Sequence, residues 1–81
     1  MSLTSEQIRA ARALLRWEQR DLAERSGISL PSIKRIETRA GTIETFERTE
    51  MALRSAFEVA GIEFIEAGSS SAPAGAGVRL K

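Results

Sequence analysis

Between Gln19 and Glu37, two short runs of helix-forming residues are separated by only Gly27-Ile28-Ser29. That spacing limits the chain more than any other feature. Gln19 to Arg25 carries strong helix formers around the apolar pair Leu22-Ala23, and Gly27 is a natural left-handed stop. Ser29 is a good N-cap, and Pro31 is tolerated in the first turn of a new helix, where its missing N–H would have had no intrahelical partner. Two short helices joined so tightly must cross at a steep angle. The small Ala23 lets them approach, and Ile28, Ile33 and Ile36 can seal the pair onto a third element.

The flanking segments supply that element. Thr4 with Gln7 is a capping-box pattern, and Ile8, Ala11 and Leu15 recur at helical spacing with Leu14 widening the stripe, which predicts a first helix over Ser5–Arg16. The second helix is expected over Gln19–Arg25 and the third over Leu30–Glu37. After Gly41, the residues Ile43, Phe46, Leu53, Phe57 and Ala60 fall on one helical stripe, interrupted by Glu50, and predict a long fourth helix ending at Gly61. The period then changes. Ile62-Glu63-Phe64-Ile65-Glu66 and Val78-Arg79-Leu80-Lys81 read as two short strands, joined through a Gly/Ser/Ala-rich connector over residues 68–77 that lacks core-forming side chains. The expected fold is mainly α, with four or at most five helices and a short C-terminal β-hairpin. It divides into a helical domain at 1–61 and a strand-linker-strand segment at 62–81.

Composition narrows the function. The 81 residues contain no Cys and no His, so thiolate nucleophiles, disulfides, zinc clusters and histidine general bases are excluded. No clustered polar constellation replaces them, and neither catalytic residues nor a metal or cofactor site are expected. Glu44, Glu47 and Glu50 recur at spacing three on the expected fourth helix and are read as a solvated face. Trp17 is expected to pack at the joint between the first two helices. No apolar run is long enough for a signal peptide core or a membrane span, and a cytoplasmic location is expected. The net charge of +1 conceals an asymmetry. Residues 1–41 hold eight Lys/Arg against five Asp/Glu, and residues 42–81 hold four against six, giving +3 and −2. A basic front half suits a polyanionic partner.

Gln19, Leu22-Ala23, Gly27-Ile28-Ser29, Ile33 and Ile36-Glu37 together resemble the Xre or lambda-repressor-like helix-turn-helix family over roughly Ile8 to Glu37. The resemblance implies a lambda-repressor-like fold and a transcriptional regulator of double-stranded DNA. It implies a phosphate contact for Gln19 at the start of the second helix, base-reading positions at Leu30, Pro31, Lys34 and Arg35, and phosphate contacts at Ser32 and Arg39. It also implies a structural ion pair between Arg12 and Glu37. From the residues themselves, Arg20 reads as a further phosphate contact and Ser29 as part of the DNA-facing turn. Arg35 is the leading base reader, since a guanidinium can take guanine O6 and N7 together. Two departures from the family pattern stand out. Glu18 occupies the usual Ser, Thr or Asn cap, and Leu30-Pro31 replaces a polar pair, leaving apolar contact with a thymine methyl as its direct readout.

A repressor acting as a homodimer on a palindromic operator, with no small-molecule effector, is therefore the expected function. The alternative is a protein-protein interaction module such as an antitoxin-like adaptor. Ile62, Phe64, Ile65, Val78 and Leu80 need an apolar surface to cover them and are the expected dimer contact, while packing of the hairpin onto the fourth helix within one chain stays open.

Overall fold

The computed structural model describes residues 3–66 and 77–81, and the expected connector lies almost wholly outside them. Four helices, α1 (Ser5–Leu15), α2 (Gln19–Ser26), α3 (Leu30–Thr38) and α4 (Glu47–Val59), precede two strands, β1 (Ile62–Ile65) and β2 (Gly77–Leu80). Local chemistry explains the boundaries. Thr4 and Gln7 form the reciprocal capping box, each side chain accepting the other's backbone N–H at 3.1 and 2.9 Å. Arg16 ends α1 in the left-handed region at φ 56°. At the start of α2, the Asp21 carboxylate accepts the Glu18 N–H at 2.8 Å, which offsets the missing hydroxyl cap. Gly27 takes φ 75°, a conformation any Cβ would strain, so the turn into α3 depends on this glycine.

One core runs through all the elements. Leu3, Ile8, Ala11, Leu22, Ile33, Ile36, Leu53, Phe57, Ile62 and Phe64 are buried in it, and Leu15, Trp17, Ala23, Ile28, Ile43, Ala56 and Val78 pack against it. Phe57 is the centre. Trp17 stacks on its ring at 5.6 Å and Phe64 meets it edge-on at 5.9 Å. The guanidinium of Arg25 covers the Trp17 ring at 5.2 Å, so this aromatic is engaged as structure.

The hairpin is part of that core, so two of the residues expected at a dimer contact, Ile62 and Phe64, are covered from within the chain. β1 and β2 pair antiparallel within one chain, Ile62 with Leu80 and Phe64 with Val78. Ile62 is fully buried and Phe64 nearly so, because the strand's inward side chains land on Phe57 of α4. They are not free to cover a second copy. Ile65 and Val78 are half-buried, and Leu80 stays exposed. The amide of Gln7, itself buried, donates to the carbonyls of Ile65 at 3.2 Å and Gly77 at 3.1 Å, stitching the hairpin to α1. The core therefore does not stop at Gly61.

Three further expectations change. Leu14 is 42% exposed and does not widen the α1 stripe. The fourth helix begins only at Glu47, so Ile43 and Phe46 are not on it. Residues 41–43 instead run beside the N-terminus, with Ser5 N–H on the Gly41 carbonyl at 2.9 Å and Ile43 N–H on the Leu3 carbonyl at 3.0 Å. That short extended contact outcompetes helix because it buries Leu3 completely and tucks Ile43 under it. Glu50 is not a solvated residue either, since its carboxylate accepts the Leu3 N–H at 2.6 Å.

Candidate nucleic-acid interface

α3 is an amphipathic helix whose two faces are cleanly divided. Ile33, Ile36 and Glu37 point inward and are buried. Pro31, Lys34, Arg35 and Thr38, spaced i, i+3, i+4 and i+7, form an exposed outer stripe. Ser29 caps the helix, its hydroxyl accepting the Ser32 N–H at 3.3 Å and bonding the Ser32 hydroxyl at 2.9 Å. Both serines sit at the end of α3 that follows the turn. Leu30 is half-buried beside them.

Glu37 fixes how this helix is presented. Arg12 of α1 grips its carboxylate with two hydrogen bonds, Nε to Oε2 at 2.8 Å and Nη2 to Oε1 at 2.7 Å, and gives a third to the Trp17 carbonyl at 3.0 Å. Gln19 of α2 donates to the same carboxylate at 3.3 Å, and Arg9 of α1 donates to the Glu37 backbone carbonyl at 2.7 Å. Three helices thus meet on one buried residue. A fork-shaped guanidinium on a carboxylate is directional as well as strong, so the network sets the rotation of α3 and hence where its outer stripe faces.

Around the stripe, Gln19 is half-buried and Arg20 exposed at the start of α2, and Arg39 is exposed just beyond α3. Arg39 contacts Glu44 at 3.4 Å, with both side chains largely in solvent, an arrangement worth about 0–1 kcal/mol that a phosphate can readily displace. Among the described residues, the ion pairs do not involve Lys34, Arg35 or Arg20. Their charges face water. A groove of about 500 Å³ runs alongside, lined by Ser29, Ser32 and Arg35 on one wall and by Glu44, Thr45 and Phe46 on the other. Phe46, 74% exposed, was invisible as a neighbour of α3 from the sequence, because the periodicity placed it on the inner face of a helix that starts one residue after it.

Residues 8–45 match the helix-turn-helix family. This segment belongs to the Xre/lambda-repressor-like helix-turn-helix family. No curated protein and no solved structure gives a significant match to the chain. The helix-turn-helix match ends at Thr45, so it takes in α1, α2, α3 and the extended segment that folds back on Leu3, and leaves α4 and the hairpin outside. The family is one of DNA-binding transcriptional regulators, and α2 with α3 corresponds to its helix-turn-helix unit. None of the helices among the described residues is long and apolar enough to cross a membrane.

Proposed function

We propose that the chain is a sequence-specific binder of double-stranded DNA that occupies a palindromic operator as a homodimer and acts as a repressor, with α3 in the major groove. The observation that carries this reading is the outer stripe of α3: cations on an exposed helical face whose rotation is held by the buried Arg12–Glu37 network. Arg35 is the base reader, suited to guanine O6 and N7, and Lys34 supports it. Pro31, with the exposed part of Leu30, offers apolar contact to a thymine methyl. Gln19, Arg20, Ser29, Ser32 and Arg39 surround the stripe with donors suited to phosphate oxygens, which position the domain without reading sequence.

One reading helix spans only a few base pairs, so useful discrimination calls for two copies on half-sites about one helical turn, roughly 10 bp, apart. Repression needs nothing beyond this occupancy, since a protein seated on the operator excludes others from it. Selection of bound fragments from random duplex DNA tests the reading directly. An enriched inverted repeat is expected, with affinity falling on added salt by a logarithmic slope of about −0.9 per phosphate contacted. No enrichment together with salt-independent binding would refute it.

A further inference from the structure

Arg39 stands where no regular structure holds it, and we infer that Glu6 of α1, acting with Arg9, is a positioning residue that fixes Arg39 for contact with a DNA phosphate. The inference rests on the DNA-binding reading and names a device that serves it. Arg39 caps α3 in an extended conformation, φ −90° and ψ 133°, and residues 40–46 run on to α4 without regular helix or strand. Its side chain is 69% exposed. A long, solvated arginine on such a segment loses much freedom when a phosphate takes it, and loses less if its backbone is already in place.

The first helix places that backbone from both sides. Arg9 Nη1 donates to the Glu37 carbonyl at 2.7 Å, two residues before Arg39. The Gly41 N–H, two residues after it, donates to the Glu6 carboxylate, whose oxygens lie at 3.1 and 3.3 Å. Arg9 and Glu6 are one turn apart on α1 and face each other at 3.8 Å, so the two grips form one unit. The Ser5 hydroxyl holds Glu6 Oε1 at 3.3 Å as well. Glu6 lies outside the segment 8–45 that matches the helix-turn-helix family, so this half of the grip is no part of the matched unit. About half of each side chain is in water, so the pair adds little to stability and replacing Glu6 leaves the domain folded. Near a polyanion a carboxylate is unfavourable. Were Glu6 only a surface acid, removing its charge would strengthen binding whatever replaced it.

Two neutral replacements separate position from charge. Glu6→Gln keeps an oxygen for the Gly41 N–H, and Glu6→Ala keeps none. The backbone bonds of Gly41 and Ile43 to Ser5 and Leu3 survive in both, so only the placement of Arg39 loosens. The probe is a mixed-sequence duplex spanning two half-sites about one helical turn, roughly 10 bp, apart, since a phosphate contact needs no particular sequence. Glu6→Gln is expected to bind at least as tightly as the wild type, and Glu6→Ala about five-fold more weakly than Glu6→Gln, with a salt slope shallower by about 0.9, the share of one phosphate. In an Arg39→Ala background the two replacements should bind equally, because their difference acts through Arg39. Equal binding by the two single variants, or a gap that persists without Arg39, overturns the assignment. In the free chain the Gly41 amide should exchange its hydrogen about ten-fold faster in Glu6→Ala than in Glu6→Gln, and equal exchange overturns the grip whatever the DNA result. A wild-type chain that binds no duplex overturns the DNA reading and this role with it, whereas wild-type binding with no gap between the variants removes only the role of Glu6.

Discussion

Replacing Glu37 by Ala removes the one residue on which three helices converge. The Arg12 side chain is only 20% exposed and Glu37 4%, so the substitution leaves a guanidinium largely out of water with its two carboxylate hydrogen bonds gone. Breaking a buried pair on one side costs about 3–5 kcal/mol. Arg12 keeps its bond to the Trp17 carbonyl and can reach water through its exposed fifth, which places the expected loss near the lower end, about 3 kcal/mol. For a domain of this size each kcal/mol corresponds to roughly 4–8 °C, so the melting temperature should fall by about 12–24 °C. Urea unfolding followed by circular dichroism reads the loss directly. A double replacement, Arg12→Met with Glu37→Leu, should recover most of it, because apolar groups of similar size need no partner. Operator affinity should not recover, since the apolar pair lacks the directional fork that orients α3. A loss below about 1 kcal/mol for Glu37→Ala, or strictly additive effects of the two single substitutions, would refute the argument that this pair is a coupled, desolvated unit.

Other perturbations separate the roles assigned above. Ile33, 1% exposed in the seam between α2 and α3, should not tolerate Ile33→Asp: an unpaired buried charge costs several kcal/mol against a total of about 5–15, and far-UV circular dichroism should show an unfolded or barely cooperative chain. Arg35→Ala should relax base preference at one position of each half-site, whereas Arg39→Ala should weaken binding to all sequences alike and reduce the salt slope by about one; parallel selections and salt titrations distinguish them. Acid should destabilise the fold through Glu6 and Glu63. Backbone N–H groups, including that of Gly41, hold the Glu6 carboxyl below its ordinary 4.5, and the Arg79 guanidinium does the same for Glu63. A lowered folded-state value means stability that is present above pH 4.5 and lost as the pH falls through the lowered values, and Glu6→Gln and Glu63→Gln should each flatten this part of the melting profile.

The helix-turn-helix unit was legible residue by residue because its determinants are local. A capping box at Thr4 and Gln7, a stop at Gly27, a serine cap at Ser29 and apolar spacing at Ile33 and Ile36 each act within about one helical turn, so reading the chain in order suffices to place α1, α2 and α3. The outward position of Lys34 and Arg35 follows from the same periodicity. What the order of residues could not convey was every competition settled at long range. Ile43 and Phe46 fit a helical stripe as well as Leu53 and Phe57 do, and only the pairing of residues 41–43 with the N-terminus, 38 or so positions away, takes them out of α4. Glu50 looks like any surface carboxylate until the Leu3 N–H arrives above it. Ile62 and Phe64 demand an apolar cover in any fold. Whether that cover is Phe57 of the same chain or a second copy depends on the direction in which the chain leaves Gly61, and that direction is decided by the tertiary packing of α4 against α2 and by the Gln7 amide waiting for two strand carbonyls.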